Sequence, residues 1–280
     1  MVDRPAETAL ASWGAMIATA VPAGTIQELA GRLTRAERQR RPIPALSAMV
    51  PGLSVRDAYA VQQAIVRHRL DAGEWIVGWK IGLTSRTMQE QLGVDQPDHA
   101  PILSDWFVPE GEPIPIDALI QPRAEAEIAF EFARPLSGPG VTAADVLAAT
   151  GGLRPAIEVI DSRIEDWRIT LPDTIADMAS SARVIVGEPL TPADGLDLRR
   201  IGVALERNGK GVATGQGSAV LGDPAEAVAW AANTLGALGV TFEVGHIIMP
   251  GALHSSVPVA RGDTFRAIFD RLGSVSVSFV

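Results

Sequence analysis

Two glutamates in a short alternating stretch are the residues of this chain that most directly suggest chemistry. Residues 121–130 read QPRAEAEIAF, and this alternation of polar and apolar side chains is typical of a β-strand. Glu125 and Glu127 therefore project from one face, with their Cα atoms roughly 6–7 Å apart. Two such carboxylates repel one another unless a cation lies between them, and hard divalent ions such as Mg2+ or Mn2+ prefer oxygen ligands. An edge strand with a solvated acidic face is the alternative interpretation.

A third carboxylate follows in a second apolar stretch. Residues 155–160 read PAIEVI, and a central strand rarely contains an unpaired carboxylate because burying an isolated charge is costly. Glu158 either pairs with Arg154 or Arg163, or it joins the first two glutamates as a metal ligand. We favour metal ligation, because the intervening chain is long enough for a strand, a short helix and a return strand.

Lys80 is the candidate cation of the same site. It lies in residues 75–83, WIVGWKIGL, which read as a buried strand entering a Gly-rich turn. Lys is rarely buried without a partner. Lys80 therefore either extends to solvent from an edge strand or lies beside the carboxylates, where it could bind a substrate carboxylate or move a proton. The turn at Gly82 would leave backbone N–H groups free for an anion.

Two further segments are polar. Residues 94–99, VDQPDH, read as a loop with two acids, one of which is Asp98, and acids in loops are mostly solvated. Residues 173–181, DTIADMASS, are small and polar, which is typical of either a pocket lining or a tight helix-packing face.

The elements that would position these residues form a β-rich body with a few helices. Ser54 is the expected N-cap of a helix that Gly73 ends, and Asp223 is the expected N-cap of a second long helix. Asn208-Gly209 predicts a hairpin turn. Strands do not alternate regularly with helices, which argues against dinucleotide-binding and (β/α)8-barrel folds.

The predicted fold class is therefore α+β. Residues 1–75 are expected to form a helical N-terminal region, in which residues 9–21 read as a helix or a flexible lead-in. Residues 76–280 are expected to form the β-rich catalytic domain.

Composition restricts the classes of function. Of the 280 residues, 47% are hydrophobic, which is enough for the core of one large domain. A formal net charge of −9 without blocks of like charge argues against nucleic-acid binding. The absence of cysteine excludes disulfides, thiol nucleophiles and zinc–thiolate sites, and it fits a cytoplasmic protein. No apolar run is long enough to span a bilayer, so we expect no membrane partner.

Four segments read together carry a resemblance to a known family. They are residues 80–85, 121–130, 155–163 and 262–265. In these segments the chain resembles the 2-keto-4-pentenoate (2-hydroxypenta-2,4-dienoate) hydratases and 4-oxalocrotonate decarboxylases, a branch of the fumarylacetoacetate hydrolase superfamily. The resemblance implies a mixed β-roll of the fumarylacetoacetate hydrolase C-terminal type for the catalytic domain.

The resemblance also implies roles for individual residues. It implies that Glu125, Glu127 and Glu158 hold a divalent cation, Mg2+ or Mn2+. It further implies that Lys80 is the catalytic lysine and that Asp98 is an acid/base residue. To substrate binding we assign Gly82, Leu83, Ser180 and Gly251.

The activity that the resemblance implies is the addition of water to a 2-hydroxy-2,4-dienoate, giving a 4-hydroxy-2-oxo acid in aromatic meta-cleavage catabolism. The alternatives are a 4-oxalocrotonate-type decarboxylase and a non-catalytic subunit of such an enzyme. The expected partners are a small 2-oxo or 2-hydroxydienoate acid, further copies of the chain, and an aldolase or decarboxylase of the same pathway.

Two positions depart from the family pattern. Met178 stands where the pattern has Asn, and residues 250–256, PGALHSS, replace a loop resembling SGALGP. If Met178 faces the pocket, it favours alkyl-substituted substrates over those with a second carboxylate. A second carboxylate would also lack a partner, since the segments assigned to the pocket contain no Lys or Arg.

Overall fold

The computed structural model describes residues 19–86, 89–90 and 93–280, and the structural statements below refer to these residues. Most of residues 9–21, expected to be a helix or a flexible lead-in, lies outside the described residues. No helix in the described ranges is long and apolar enough to cross a lipid bilayer.

Helices precede and interrupt a chain that is otherwise rich in strands. The helices used below are α1 (Ala23–Gln39), α2 (Leu46–Met49), α3 (Val55–Asp71), α4 (Ala143–Ala149), α5 (Leu171–Ala176) and α6 (Pro224–Gly236). The strands are β1 (Ile76–Gly82), β2 (Asp98–Leu103), β3 (Arg123–Phe132), β4 (Thr150–Ile160), β5 (Ser181–Val186), β6 (Gly202–Arg207), β7 (Lys210–Gln216), β8 (Ile247–Met249), β9 (Val257–Pro258), β10 (Thr264–Phe269) and β11 (Gly273–Ser278).

The strands form two sheets. The larger sheet has the order β2-β1-β8-β3-β4-β5, and β9 pairs with the start of β3. It is mixed, because β1 and β8 are parallel whereas β3 and β4 are antiparallel. The smaller sheet is antiparallel, with the order β11-β10-β6-β7.

The larger sheet curls into a roll. Beyond β2, Phe107 bridges to Val184 of β5, and the Val108 N–H donates to the Val184 carbonyl at 2.9 Å. The inner face carries a small apolar cluster of Val77, Ile102, Ala129, Ala156, Val184, Ile247 and Met249. Neighbouring residues such as Ile128, Ile157 and Ile248 belong to the main core on the other face. The period of two along each strand thus separates an enclosed interior from the main core.

Local signals account for the ends of several elements. Ser54 Oγ accepts from the Asp57 N–H, and the Asp57 carboxylate accepts from the Ser54 N–H, each at 3.1 Å. This capping box begins α3 as expected. Asp223 caps α6 by accepting from the Ala225 N–H at 2.9 Å. Asn208 and Gly209 connect β6 to β7 with φ of 55° and 73°, which is typical of a type I′ hairpin turn.

The N-terminal helices share a core with the sheets. Leu29 of α1 and Val61 of α3 belong to the same hydrophobic cluster as Trp79 of β1 and Phe130 of β3. The boundary expected at residue 75, between a helical region and a catalytic β-roll, therefore stays a prediction.

Candidate metal and active site

Three carboxylates converge on the inner face of the roll. Glu125 of β3 lies directly opposite Glu158 of β4 in the antiparallel register, and Glu127 follows two residues along on the same face. One carboxylate oxygen from each residue lies within 4.8 Å of the other two. Glu127 is 1% exposed and Glu158 is 0% exposed. The short helix and return strand expected between the two segments are α4 and β4.

The arginines considered as partners of Glu158 have other partners. Arg154 Nε donates to Glu131 Oε2 at 2.5 Å. Arg163 Nε donates to Asp177 Oδ1 at 2.6 Å, and this pair is buried. The interpretation of Glu158 as half of an Arg–Glu pair is therefore wrong.

Glu158 instead contacts one residue on the neighbouring strand β5 and one residue across the interior of the roll. Ser181 Oγ donates to its Oε1 at 2.7 Å. Its Oε2 lies 3.3 Å from Lys80 Nζ. That buried Oε2 makes an ion pair but accepts no hydrogen bond from the described residues. This oxygen could therefore still coordinate a metal ion.

Lys80 lies in the middle of the sheet. Its strand, β1, pairs with β2 on one side and β8 on the other, so the edge-strand interpretation is wrong. Lys80 is 4% exposed, and its Nζ donates to the Ala179 carbonyl at 3.0 Å. Burial opposes its charge, but four neighbouring carboxylates, Glu158 foremost, outweigh burial and raise the pKa of Lys80 above its usual value. Lys80 therefore carries a positive charge at neutral pH.

Asp98 lies on a strand, so the loop expected over residues 94–99 ends at residue 97. It begins β2, directly opposite Gly82, and it is 1% exposed. The two acids of residues 94–99 suggested a loop, whereas pairing with β1 places Asp98 on a strand. Burial raises the pKa of Asp98 to about 6, although Lys80 opposes the shift. Its Oδ1 accepts no hydrogen bond in the described ranges.

The segments assigned to substrate binding adjoin these charged groups. A Cβ at Gly82 would lie 2.1 Å from Asp98 Oδ1, so only glycine leaves room for that carboxylate. Leu83 follows with a left-handed φ of 55°. Gly251 has a φ of 119°, and its N–H donates to Glu127 Oε2 at 2.8 Å. Gly82 therefore lies beside Asp98 and Gly251 beside Glu127, and Leu83 follows Gly82 in the chain.

Ser180 ends an unusual left-handed turn. Met178, Ala179 and Ser180 have φ of 58°, 49° and 56°. Such backbone is strained for residues other than Gly and Asn, and strain of this kind often marks functional sites. The turn aims the Ala179 carbonyl at Lys80 Nζ. Ser180 is buried, and its Oγ has no hydrogen-bond partner in the part of the chain described.

Met178 packs into the main hydrophobic core and is 2% exposed. Its apolar side chain therefore gives no reason to expect a preference for alkyl-substituted substrates. Asn adopts left-handed backbone more readily than Met, so the Asn of the family pattern suits the φ at this position.

The carboxylates strongly perturb one another. Burial, and then the charge of Glu158, raises the pKa of Glu125 to about 7, while Lys80 and Arg123 oppose the shift. Burial and Glu158 also raise the pKa of Glu127 well above its usual value. A cation among these oxygens would remove the repulsion and use the free Oε2 of Glu158. The three residues therefore fit a hard divalent metal ion.

Comparison with known proteins agrees with this architecture. Residues 79–280 match the family described as fumarylacetoacetate (FAA) hydrolase C-terminal. The chain belongs to this family. This FAA hydrolase family member is 43% identical over 250 residues to 2-hydroxyhexa-2,4-dienoate hydratase of Comamonas testosteroni, covering 89% of this chain and 95% of that protein. It is 42% identical over 254 residues to 2-keto-4-pentenoate hydratase of Paraburkholderia xenovorans, covering 90% of this chain and 94% of that protein.

A solved structure matches over nearly the whole length of this FAA hydrolase family member. It is 4-oxalocrotonate decarboxylase from Pseudomonas putida G7, complexed with magnesium and adipate. The TM-score is 0.90 at 38% identity, covering 94% of this chain and 100% of that chain. The expected family and the expected mixed α+β roll are therefore confirmed.

Two polar neighbours of the glutamates, Arg123 and Ser181, had no individual role predicted from the sequence, although Ser181 ends the candidate pocket lining 173–181. Ser181 binds Glu158, and Arg123 lowers the pKa of Glu125. The proximity of Arg123 to Glu125 could have been predicted, because Arg123 lies on the same face of β3, two residues before Glu125. Ser181 gave no comparable signal, because its contact depends on the pairing of β4 with β5.

Proposed function

We propose that this FAA hydrolase family member is a metal-dependent hydratase. It adds water to a 2-hydroxy-2,4-dienoate, by way of the 2-oxo tautomer, and gives a 4-hydroxy-2-oxo acid in aromatic meta-cleavage catabolism. The observation that carries the proposal is the convergence of three carboxylates, of which Glu127 and Glu158 are buried, beside a charged Lys80 and an Asp98 with a pKa of about 6. The hydratase names of relatives that align with about nine-tenths of the chain support the same activity.

Glu125, Glu127 and Glu158 would hold Mg2+ or Mn2+. When bound, the ion would supply Lewis-acid polarisation of the 2-oxo group. Gly251 supports this arrangement by holding one oxygen of Glu127 through its N–H, which leaves the other oxygen free. The three side chains thus occupy fixed positions on adjacent strands before any ion arrives.

Lys80 would bind the carboxylate of the substrate. The neighbouring acids keep its ammonium charged, so it is an electrostatic partner rather than a base at neutral pH. The Ala179 carbonyl fixes the direction of Nζ. A substrate carboxylate would share the charge of Lys80 that Glu158 faces in the free protein.

Asp98 would move protons. A carboxyl group with a pKa of about 6 exists in both protonation states near neutral pH, which suits a general acid and base. In ketonisation a proton reaches C5 of the dienol as the 2-hydroxyl proton leaves. In hydration the oxygen of water bonds to C4 and a proton reaches C3, and Asp98 takes up the proton that water loses. The sum is the addition of one water molecule.

The test is a turnover assay with Mg2+ or Mn2+. 2-Hydroxypenta-2,4-dienoate should lose its conjugated absorbance and yield 4-hydroxy-2-oxopentanoate without release of CO2. Release of CO2 from 4-oxalocrotonate at a higher kcat/KM would instead establish the decarboxylase, which the fold match to such an enzyme favours as the second candidate. Metal binding without turnover of either acid would indicate a non-catalytic subunit.

We also propose that copies of this chain associate with one another and with an aldolase or decarboxylase of the same pathway. The support for the partner enzyme is the decarboxylase name of the solved structure that matches nearly the whole chain, and self-association rests on the family resemblance. Analytical ultracentrifugation of the protein alone, and then with each partner enzyme, tests both associations. If this protein sediments as a monomer both alone and in every mixture, both associations are refuted.

A further inference from the structure

One flank of β3 lacks a strand partner where the metal-binding glutamates lie. On this flank β9 pairs with Arg123 and Ala124, and β8 pairs with Phe130 and Glu131. Between these pairings, within the described ranges, residues 250–256 run beside β3 without forming a strand. This is also the loop at which the chain departs from its family pattern.

His254 supplies the hydrogen-bond acceptor that a neighbouring strand would otherwise provide. The Ala126 N–H donates to His254 Nε2 at 3.2 Å, while the Leu253 N–H donates to the Ala126 carbonyl at 3.0 Å. Ala126 lies between Glu125 and Glu127 in the sequence and is 0% exposed. Water does not reach the Ala126 N–H, so this donor depends on the imidazole of His254 as its hydrogen-bond acceptor.

The imidazole holds one defined tautomer. His254 Nδ1 lies 2.9 Å from the Ser255 carbonyl, which only accepts, so Nδ1 carries the proton. Nε2 is therefore the free acceptor that faces the Ala126 N–H. Burial lowers the pKa of His254, which agrees with a neutral ring.

The same loop holds a metal-binding carboxylate. Three residues before His254, the Gly251 N–H donates to Glu127 Oε2 at 2.8 Å. A loop that is fixed at His254 therefore also fixes the donor that orients Glu127. We propose that His254 is a positioning residue, which docks residues 250–256 on β3 and so sets the geometry of Glu127 for metal binding.

This inference rests on the proposed metal site, and its test separates the two. His254→Leu keeps the volume of the side chain but removes the acceptor, whereas His254→Gln returns an acceptor near the position of Nε2. We expect Mn2+ affinity, measured by electron paramagnetic resonance on the purified protein, to fall about 10–100-fold in His254→Leu and to recover in His254→Gln. Hydrogen exchange at the Ala126 amide should accelerate in the Leu variant and stay slow in the Gln variant.

His246 provides a matched control. Its Nδ1 accepts from the Glu243 N–H at 3.2 Å, away from the three glutamates in the sequence. His246→Leu should lower Tm but leave Mn2+ affinity unchanged. If His254→Leu does not fold, His254→Ala serves with the same expectations.

Two results would overturn the role of His254: unchanged Mn2+ affinity in a folded His254→Leu protein, or an Ala126 amide that exchanges equally slowly in both variants. If the wild-type protein binds no Mn2+, the proposed metal site fails. The exchange rate of the Ala126 amide then still decides whether His254 docks the loop.

Discussion

Lys80 Nζ lies 3.3 Å from Glu158 Oε2, although β1 and β4 are separated in the sheet by β8 and β3. The curl of the sheet brings these two side chains together across the interior of the roll. The ion pair links the lysine to the carboxylate cluster, so the charge of each depends on the other.

Lys80→Ala should reduce activity more than metal binding. Without the ammonium, kcat/KM should fall by about 100-fold or more, the range typical of a lost group that acts on charge or protons. Mn2+ affinity should persist or rise, because a competing cation has left the carboxylates. Steady-state kinetics and calorimetric titration measure the two effects. Lys210→Ala, which removes the other lysine of the chain, is the control. Unchanged kcat/KM in Lys80→Ala would contradict the assigned role.

Glu127→Gln should weaken metal binding while the fold persists. The amide keeps the shape of the side chain but loses the charge that a divalent ion needs, so Mn2+ affinity should fall by more than about 100-fold. The metal-free protein should be at least as stable as wild type, because a buried like charge has been removed. Glu131→Gln on the same strand is the control, since Glu131 pairs with Arg154. Wild-type affinity in Glu127→Gln would refute the three-carboxylate site.

Metal-induced stabilisation should increase with pH. The native pKa of Glu125, about 7, lies above the ordinary value of 4.5, so the metal-free native state binds more protons than the unfolded state between these values. The Glu125 carboxyl group therefore stabilises the metal-free native state at low pH, and this stabilisation is lost as pH rises through about 7. A divalent ion binds the deprotonated carboxylate and restores that loss. The rise in Tm on adding Mg2+ should be larger at about pH 8 than at about pH 5.5.

The difference between melts with and without Mg2+ is the quantity to compare. Buried His99 and His246 have pKa values lowered to about 3 and 4, so they destabilise the native state as pH falls below their ordinary value. Their effect has the opposite sign but is common to both melts. An equal Tm increase at both pH values would show that protons and metal do not compete at this site.

Met178→Asn should leave substrate preference unchanged. Because Met178 lies in the main core, the ratio of kcat/KM for a mono-acid and a di-acid dienoate should stay within about twofold of wild type. Tm should fall, since a buried amide without partners costs more than the left-handed backbone regains. A tenfold change in the ratio, about 1.4 kcal/mol, would place position 178 beside the substrate.

Much of the site was predictable from local patterns. Alternation in residues 121–130 placed Glu125 and Glu127 on one face, and the apolar run around Glu158 predicted a buried strand. The capping residues Ser54 and Asp223 marked helix starts that the structure confirms. These features depend on neighbours within a few residues, so the sequence carries them directly.

Other features depended on partners that are distant in the chain. Asp98 lies on a strand because β1 pairs with its segment, and Lys80 is buried because β2 and β8 flank β1. Met178 lies in the core because a left-handed turn directs it there.

The amino-acid sequence by itself determined the family, the strands that carry the glutamates and the residue types available for metal and proton chemistry. The tertiary structure alone decided that Lys80 faces Glu158, that Asp98 is buried, and that His254 accepts from Ala126. Side-chain alternation fixes the face of a residue within its own strand. Burial, charge coupling and hydrogen-bond partners arise only when curled sheets and loops bring distant segments into contact.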